Sequence, residues 1–339
     1  MDFASSNLHV VAWAPLRVSL AGGGTDLPAY AAKHGGLVVG IAINRYVSVA
    51  THPGECSACG RAALPETEMA VRHQLVDESS PFRGPACRRA HLDERRQIST
   101  TSDVPVGSGL GGSGAFSVAL LQALLTTAGR FVAARELAAT AFDLEHGDIG
   151  RPVGMQDHYM AAYGGIQILH INRALEVEVE SIPITAQFRD YIERQLMLFH
   201  SGQGRDSGSL LADQQTRFVQ GEDAVVQSLR SIHQIALSLS ESMRSGRVQD
   251  IGPAIHEHWA EKRRLSPAIS NEELDKLVAV AAGGGADGAK IVGAGGGGYL
   301  LASAPAGKQE MVRESMSMTG ATELLFHVEK HGSQVRLVE

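Results

Sequence analysis

The sequence predicts an α+β protein of two domains, and three observations support that prediction. Strand-like and helix-like stretches alternate along the chain in mixed order. The chain has 339 residues, which is enough for two domains. The pattern changes near residue 180, after which long helical stretches dominate. We therefore expect an N-terminal domain over residues 1–180 and a C-terminal domain over residues 181–339.

Hydrophobic periodicity predicts the elements of the first half. Residues 8–20 alternate and then run apolar, and residues 37–50 are rich in β-branched side chains, as strands are. Pro28 suits the first turn of a helix over 27–34, and Gly129 suits the end of a helix that covers 116–125. The remaining predictions here are helices at 85–95, 133–146 and 155–163 and a strand at 166–171. Residues 52–96 otherwise carry little pattern.

The second half is predicted in the same way. Long helical patterns cover three stretches, and a further helix precedes the C-terminal strands. The predicted helices are 206–245, 253–264, 271–282 and 307–319. The predicted strands are 195–200, 289–292, 299–302, 322–328 and 333–338. A glycine-rich loop over 293–298 joins two of these strands.

Composition argues against several classes of protein. Hydrophobic residues make up 44% and charged residues 20% of the chain, as in ordinary globular proteins. No run of eighteen apolar residues predicts a membrane span, and the N-terminus lacks the pattern of a signal peptide. The net charge of −7, without a basic stripe, argues against nucleic acid as a partner. We expect a cytoplasmic protein.

The three cysteines leave two interpretations open. Three thiols are too few for a disulfide scaffold and fit a reducing compartment. Cys56, Cys59, Cys87 and His91 together have the residue types of a zinc site. The alternative is that Cys87 simply packs on the helix predicted at 85–95.

The most informative stretch is the loop P-V-G-S-G-L-G-G-S-G-A over residues 105–115. It has almost no side chains and leads directly into the helix predicted at 116–125. Unpaired N–H groups and the helix dipole at such a helix start favour an anion, and phosphate is the obvious one. The alternative is a flexible surface loop before an ordinary core helix.

Other residues have the chemistry of phosphoryl transfer, which needs a phosphate cradle, a metal held by hydroxyl and carboxylate, a cation and a carboxylate facing the acceptor. Ser113, Glu145, Arg17 and Asp157 are the candidates for these places. Three of them also have a structural interpretation: Glu145 as a helix-end charge, Arg17 as a surface cation and Asp157 as a helix cap.

Generic motifs argue against several other enzymes. Residues 107–112 and 293–298 both match G-x-G-x-x-G, but neither lies between a strand and a helix with an acidic residue about 20 positions on, as a dinucleotide site requires. Walker A, H-E-x-x-H and G-x-S-x-G sequences are absent from the chain. A P-loop NTPase, a zinc protease and an α/β-hydrolase are therefore disfavoured.

Three stretches together resemble a known family. The loop at 105–115 resembles the phosphate loop of the GHMP kinases, which include galactokinase and mevalonate kinase. A-P-L-R-V-S-L-A-G-G-G-T-D-L-P over 14–28 resembles their first motif, and K-I-V-G-A-G-G-G-G-Y-L over 290–300 their third. G-M-Q-D-H-Y-M-A-A-Y-G-G over 154–165 and H-E-H-W-A-E-K over 256–262 are most similar to the D-glycero-D-manno-heptose 7-phosphate kinase group. The kinase part of fucose-salvage enzymes is similar too.

The resemblance implies a fold and a reaction. The fold would be an N-terminal domain like ribosomal protein S5 and a C-terminal ferredoxin-like domain, with the active site in the cleft between them. The reaction would be the ATP-dependent, Mg2+-assisted phosphorylation of the anomeric C1 hydroxyl of a sugar phosphate. The substrate that the resemblance implies is D-glycero-D-manno-heptose 7-phosphate, and the product would be the 1,7-bisphosphate. Another sugar such as fucose or galactose, or an inactive nucleotide-binding regulator, stays an alternative. A homodimer is an open alternative to a monomer.

The resemblance also implies roles for single residues. Asp157 matches the carboxylate that faces the acceptor hydroxyl, Arg17 the cation near the transferred phosphate, and Ser113 and Glu145 the magnesium ligands. Nucleotide binding is expected of Pro105, Gly107, Ser108, Gly109, Leu110, Gly111, Gly112, Ser113 and Gly114. Substrate binding is expected of Gly24, Thr25, Asp26, Gly295 and Gly296. Arg205 and Lys262, which are cations in stretches similar to the family, are candidates to bind a distal phosphate of the substrate, and solvated surface charges are the alternative. The loop departs from the family at Gly112, where the first of two serines usually stands.

Overall fold

A long central strand organises the larger of two sheets in the computed structural model, which describes residues 9–52, 72–202 and 207–338. Strand β2 (Gly36–His52) pairs along its length with β1 (His9–Ala21). On its other edge it pairs first with β5 (Ile166–Ile171) and then with β4 (Gln97–Ser102). The outer strands of this antiparallel seven-stranded sheet are β3 (Arg72–Leu75), β6 (Val177–Ile182) and β11 (Gln334–Val338).

The second sheet has four antiparallel strands in the order β10-β7-β9-β8. These strands are β7 (Leu196–His200), β8 (Gly288–Ile291), β9 (Tyr299–Ser303) and β10 (Thr322–Leu324). The helices are α1 (Pro28–His34), α2 (Arg83–Ala90), α3 (Gly112–Thr127), α4 (Ala134–Phe142), α5 (Gln156–Tyr163), α6 (Ala186–Gln195), α7 (Ser207–Val219), α8 (Asp223–Arg244), α9 (Ile251–Lys262), α10 (Glu272–Gly283) and α11 (Gln309–Ser317). Helices pack against both antiparallel sheets, which agrees with the predicted α+β class.

Helix α3 forms the centre of the larger core. Every residue from Ser117 to Thr127 is buried, and the helix packs on β1, β2, α4 and α5. A helix enclosed on all sides needs apolar residues around its whole circumference rather than along one stripe. Burial of a leucine side chain such as Leu121 or Leu124 contributes about 2 kcal/mol. This packing holds the start of α3 in a defined position.

The helix predicted over 133–146 is interrupted in the structure. It runs as α4 to Phe142 and continues as a π-helical turn over Asp143–Asp148. Such wide turns occur often at functional sites. Here the turn carries the Glu145 side chain into the interior, where it has no exposed surface.

Several elements differ from the sequence predictions. Strands β3, β4 and β6 and helix α6 were not predicted, and the helical pattern over 206–245 is two helices separated at Gly221, which has φ +75°. The helix predicted at 85–95 ends at Ala90, because His91 adopts a left-handed conformation with φ +57°. The last strand, β11, returns to pair with β1 in the larger sheet. The boundary at residue 180 stays a prediction. In the described parts of the chain, no helix combines the length and apolar character that crossing a bilayer requires.

Candidate active site

The glycine-rich loop before α3 is shaped by left-handed backbone conformations. Gly107, Gly109 and Gly111 have φ values of +78°, +80° and +78°, which glycine adopts without the cost that other residues incur. The first α-helical hydrogen bond is donated by the Ala115 amide to Gly111 O at 3.0 Å. The amides of the preceding first turn therefore lack partners within the helix and are suited to bind an anion.

A second glycine loop packs directly against this one. A Cβ on Gly109 would lie 2.5 Å from Val292 O, and a Cβ on Gly298 would lie 2.3 Å from Ser108 O. The Tyr299 amide donates to Ser108 O at 3.1 Å. Two backbone segments can approach so closely only where the residues in contact are glycines, which have no side chain. A cavity of about 920 Å³ opens beside the two loops.

An ion pair in this cavity joins two residues far apart in the sequence. On β1, Arg17 donates from Nε to Asp157 Oδ1 at 2.8 Å, and its second terminal nitrogen lies 2.6 Å from the same oxygen. Its other terminal nitrogen donates to Gly109 O at 2.6 Å. The guanidinium is buried, whereas the Asp157 carboxylate is a quarter exposed. The pair thus lies against the glycine-rich loop with one carboxylate oxygen, Oδ2, left for another partner.

Glu145 has no exposed surface and lies at the start of α3. It accepts hydrogen bonds from the Ser113 hydroxyl, from Ser117 Oγ at 3.2 Å and from His158 Nε2 at 3.0 Å, and Arg151 lies 3.1 Å away. Desolvation alone would raise the pKa of this carboxyl, but the His158, Ser113 and Arg151 contacts outweigh it and hold the pKa below its usual range. Glu145 is therefore an anion.

The Ser113 hydroxyl and the Glu145 carboxylate have the chemistry of a magnesium site. Mg2+ is usually held by one or two protein oxygen ligands together with substrate phosphates and water. Ser113 and Glu145 are in contact beside the glycine-rich loop, so the donors present fit that ion. Among the described residues no group of three or more His, Cys, Asp or Glu side chains is arranged to hold a metal by itself.

Asp26 is buried and fully engaged by donors from the protein. It accepts from the Gly24 amide at 2.9 Å and from the Gln156 amide at 3.1 Å. Desolvation raises its pKa, although these backbone contacts oppose the rise. The neighbouring Thr25 hydroxyl donates to Gly22 O at 2.7 Å and to Leu37 O at 3.0 Å, so it holds the loop to the sheet.

Two buried lysines also line the cleft. Lys262 donates from Nζ to Gly293 O, and Lys290 donates to Leu20 O at 2.7 Å. Burial, followed by repulsion from Arg17, lowers the pKa of Lys262 to about 8. Burial, followed by repulsion from Lys262 and Arg17, lowers the pKa of Lys290 well below its usual value. The sequence analysis missed Lys290, although it opens the stretch that resembles the third family motif.

The lowered pKa of Lys262 predicts a pH-dependent stability. Its folded pKa of about 8 lies below the ordinary 10.5, so unfolding takes up a proton between these values and stability rises with pH there. Relative to Lys262→Met, we expect the wild type to gain about 3 kcal/mol between pH 8 and 10.5. Urea unfolding at a series of pH values measures this difference. The exposed Lys276→Met should show no such trend, and a flat difference for Lys262→Met would contradict the prediction.

The predicted site residues divide into three groups. Those that line the cavity are Arg17, Gly24, Asp26, Pro105, Gly107, Ser108, Gly109, Gly111, Gly112, Ser113, Glu145, Asp157 and Lys262. Those outside its lining are Thr25, Leu110, Gly114, Gly295 and Gly296. Leu110 belongs to the core, Gly114 packs on Asp157, and the Gly296 amide donates to Ile269 O at 2.8 Å. Arg205 lies outside the described residues.

The structure describes two of the four residues in the zinc hypothesis, Cys87 and His91. Cys87 is buried on α2 in the apolar core, which raises the pKa of its thiol, and His91 is exposed just after that helix. Cys56 and Cys59 lie outside the described residues. Zinc binding stays a hypothesis.

Comparison with known proteins gives two kinases that match most of the chain and a longer enzyme that matches part of it. A D-glycero-alpha-D-manno-heptose 7-phosphate kinase from Campylobacter jejuni is 25% identical over 306 residues, which is 85% of this chain and 87% of that one. A bifunctional fucokinase/GDP-fucose pyrophosphorylase from Arabidopsis thaliana is 30% identical over 60% of this chain but only 19% of its own length. The crystal structure of a D-glycero-D-manno-heptose 1-phosphate kinase from Bacteroides thetaiotaomicron shares the fold, with a TM-score of 0.74, 22% identity and coverage of 97% and 99% of the two chains.

Family patterns match both halves of the chain. The N-terminal domain of the GHMP kinases matches residues 84–165, and their C-terminal domain matches residues 239–321. The first match contains the glycine-rich loop, Ser113, Glu145 and Asp157, and the second contains Lys262 and the glycine loop at 293–298. The two matches confirm the resemblance and the two-domain fold. The chain therefore belongs to the GHMP kinases and is an ATP-dependent phosphotransferase.

Proposed function

We propose that this kinase phosphorylates the anomeric C1 hydroxyl of a sugar phosphate, and that D-glycero-D-manno-heptose 7-phosphate is converted to the 1,7-bisphosphate. The observation that carries the proposal is the Arg17–Asp157 pair, which lies in the cavity against the glycine-rich loop. It combines a cation for the transferred phosphoryl group with a carboxylate for the acceptor. The name of the Campylobacter jejuni relative supports the heptose 7-phosphate as the acceptor.

The nucleotide is assigned to the loop side of the cavity. The free amides at the start of α3 would bind the phosphates of ATP, because they offer donors and the positive end of the helix dipole. Ser113 and Glu145 would hold Mg2+, which neutralises phosphate charge when it is bound. The cavity lining also includes Val76, Phe82 and Val104, apolar side chains suited to an adenine base.

The transfer step then follows from the positions of Arg17 and Asp157. The C1 oxygen forms a bond to the γ-phosphorus while the bond from that phosphorus to the β,γ-bridging oxygen breaks, and ADP leaves. Asp157 Oδ2 takes the proton of the acceptor hydroxyl. Both Arg17 contacts reach Oδ1, so they orient the carboxylate and bring positive charge to the phosphoryl group.

A panel of acceptors tests the proposal. Radiolabelled ATP is incubated with the enzyme and heptose 7-phosphate, heptose 1-phosphate, fucose, galactose or the free heptose, and the phosphorylated position is read by NMR. We expect heptose 7-phosphate to be the best acceptor, with the label on O1. Absence of turnover with heptose 7-phosphate would overturn the heptose assignment, and transfer to fucose would favour the alternative that the Arabidopsis thaliana relative suggests.

The close packing of α3 on α5 predicts a further effect on activity. A Cβ on Gly114 would lie 2.5 Å from Asp157 Cβ, so Gly114→Ala must displace the carboxylate. A displacement of about 1 Å costs roughly 10²-fold in rate, and we expect a loss of that size in kcat. Gly283→Ala on α10 is the control, because its methyl group would meet nothing within 4 Å. Equal kcat values for the two variants would contradict the prediction.

A further inference from the structure

Four side chains from separate parts of the chain line the cleft with polar atoms that lack a partner. These atoms are Ser19 Oγ, Gln156 Oε1, Gln214 Nε2 and both ring nitrogens of His258. All are buried, and the Gln214 and His258 side chains belong to residues only 3% and 1% exposed. Within the described residues Ser19 Oγ, Gln156 Oε1 and Gln214 Nε2 have no hydrogen-bond partner, whereas the His258 ring lies beside the Gly23 backbone. Buried polar atoms are nearly always paired, so such a group beside a cleft is suited to bind a polar ligand.

The four residues form one continuous surface around the glycines at 23–24. A Cβ on Gly23 would lie 3.4 Å from Gln156 Nε2 and 3.5 Å from Ser19 Oγ. A Cβ on Gly24 would lie 2.7 Å from Gln214 Nε2. Side chains at these two positions would crowd Ser19, Gln156 and Gln214, and these three residues line the same cavity as His258. We call this surface the polar wall.

The polar wall differs in chemistry from the cationic part of the cleft. Its groups are neutral: one hydroxyl, two amides and an imidazole whose pKa is lowered well below its usual value by burial and by Lys290 and Lys262. Together they offer both donors and acceptors, and they do so whichever way the amides are oriented. A phosphate or carboxylate needs donors only, whereas a sugar hydroxyl needs a donor and an acceptor. The polar wall is matched to hydroxyl groups.

We propose that Ser19, Gln156, Gln214 and His258 bind the ring hydroxyls of the acceptor and so determine its specificity for a polyhydroxylated substrate. This inference rests on the proposed function, because it names the groups that hold the sugar beside Asp157. Gln156 connects the polar wall to the catalytic part of the cleft, because it immediately precedes Asp157 in the chain. Its backbone amide and its Nε2 both donate to Asp26, at 3.1 and 3.4 Å.

A cycle that pairs a variant with deoxy substrates tests the polar wall. Gln214→Met keeps the size of the side chain and removes its polar atoms. We expect it to lower kcat/KM for the acceptor by roughly tenfold to a hundredfold, mainly through KM, with the KM of ATP unchanged. The wild type should lose a similar factor on the acceptor that lacks the contacted hydroxyl. In the variant, removal of that hydroxyl should cause no further loss.

The control and a second variant guard against a purely structural effect. Gln122→Met on α3 makes the same change at a buried glutamine that bonds Thr126, and it should discriminate among deoxy acceptors as the wild type does. Ser19→Ala repeats the cycle with the smallest possible change. In the outcome against the proposal, the loss of kcat/KM caused by the variant and the loss caused by the missing hydroxyl are additive for every deoxy acceptor, in both Gln214→Met and Ser19→Ala. That result would indicate that the polar wall contacts water and not the acceptor.

Calorimetry separates this proposal from the proposed function. Titration of the acceptor into enzyme with a non-hydrolysable ATP analogue measures binding without turnover. Binding that weakens in Gln214→Met but not in Gln122→Met supports the polar wall even if no sugar is phosphorylated. Turnover of a heptose phosphate with equal acceptor affinity in wild type and Gln214→Met would uphold the function and reject the wall.

Discussion

Replacement of Asp157 by asparagine is expected to reduce kcat by roughly 10³- to 10⁴-fold, because the amide neither takes a proton nor carries the negative charge that orients Arg17. The fold should persist, since the amide oxygen can still accept from Arg17, which also donates to Gly109 O at 2.6 Å. ATP affinity should change little. Steady-state kinetics with the best acceptor, together with calorimetric titration of ATP, measure both effects.

The exposed Asp223→Asn at the start of α8 is the matched control and should retain wild-type kcat. Thermal unfolding of both variants shows whether the fold is kept. If Asp157→Asn transfers phosphate to the acceptor as fast as the wild type does, the carboxylate has no part in the chemistry and the assignment fails.

Replacement of Glu145 by glutamine is expected to lower kcat/KM for ATP by roughly 10²- to 10³-fold, since it removes the buried charge assigned to the metal. The concentration of Mg2+ that gives half-maximal rate should rise. A measurement independent of activity is the affinity for ATP with and without Mg2+. In the wild type Mg2+ should strengthen nucleotide binding, and in Glu145→Gln this strengthening should be largely lost.

Glu310→Gln on α11 is the control for this change, because its side chain is 76% exposed and it does not line the cleft. It should leave the Mg2+ dependence as it is in the wild type. Equal strengthening of ATP binding by Mg2+ in wild type and Glu145→Gln would remove Glu145 from the metal site.

The sequence predicted the elements whose signals are local. The run of apolar side chains identifies the buried helix α3, and glycine and proline mark the ends of α1. It failed for β4, Gln-Ile-Ser-Thr-Thr-Ser, whose polar residues give no strand pattern and which is held by pairing with β2 on one edge and β3 on the other. A short polar strand owes its stability to neighbours that lie far away in the sequence.

The candidate site was partly predictable for the same reason. The glycine-rich loops, Arg17 and Asp157 stand in stretches that resemble the family, but nothing local reveals that Gln214 joins the cleft. His258 and Lys262 are one helical turn apart on α9, and this spacing could have indicated a shared face. The role of Thr25 in holding the loop also required the structure, because one of its hydrogen-bond partners, Leu37 O, lies on β2.

By itself, the sequence determined the fold class, the family and the position of the glycine-rich loop, because these depend on residue types and spacings within short stretches. The tertiary structure alone decided which distant groups meet. Backbones without side chains approach within contact at Gly109 and Gly293, and this places the lysines and the unpaired polar atoms around one cavity. The physical reason is that burial and partnership of a polar group are properties of packing between segments, which no local pattern encodes.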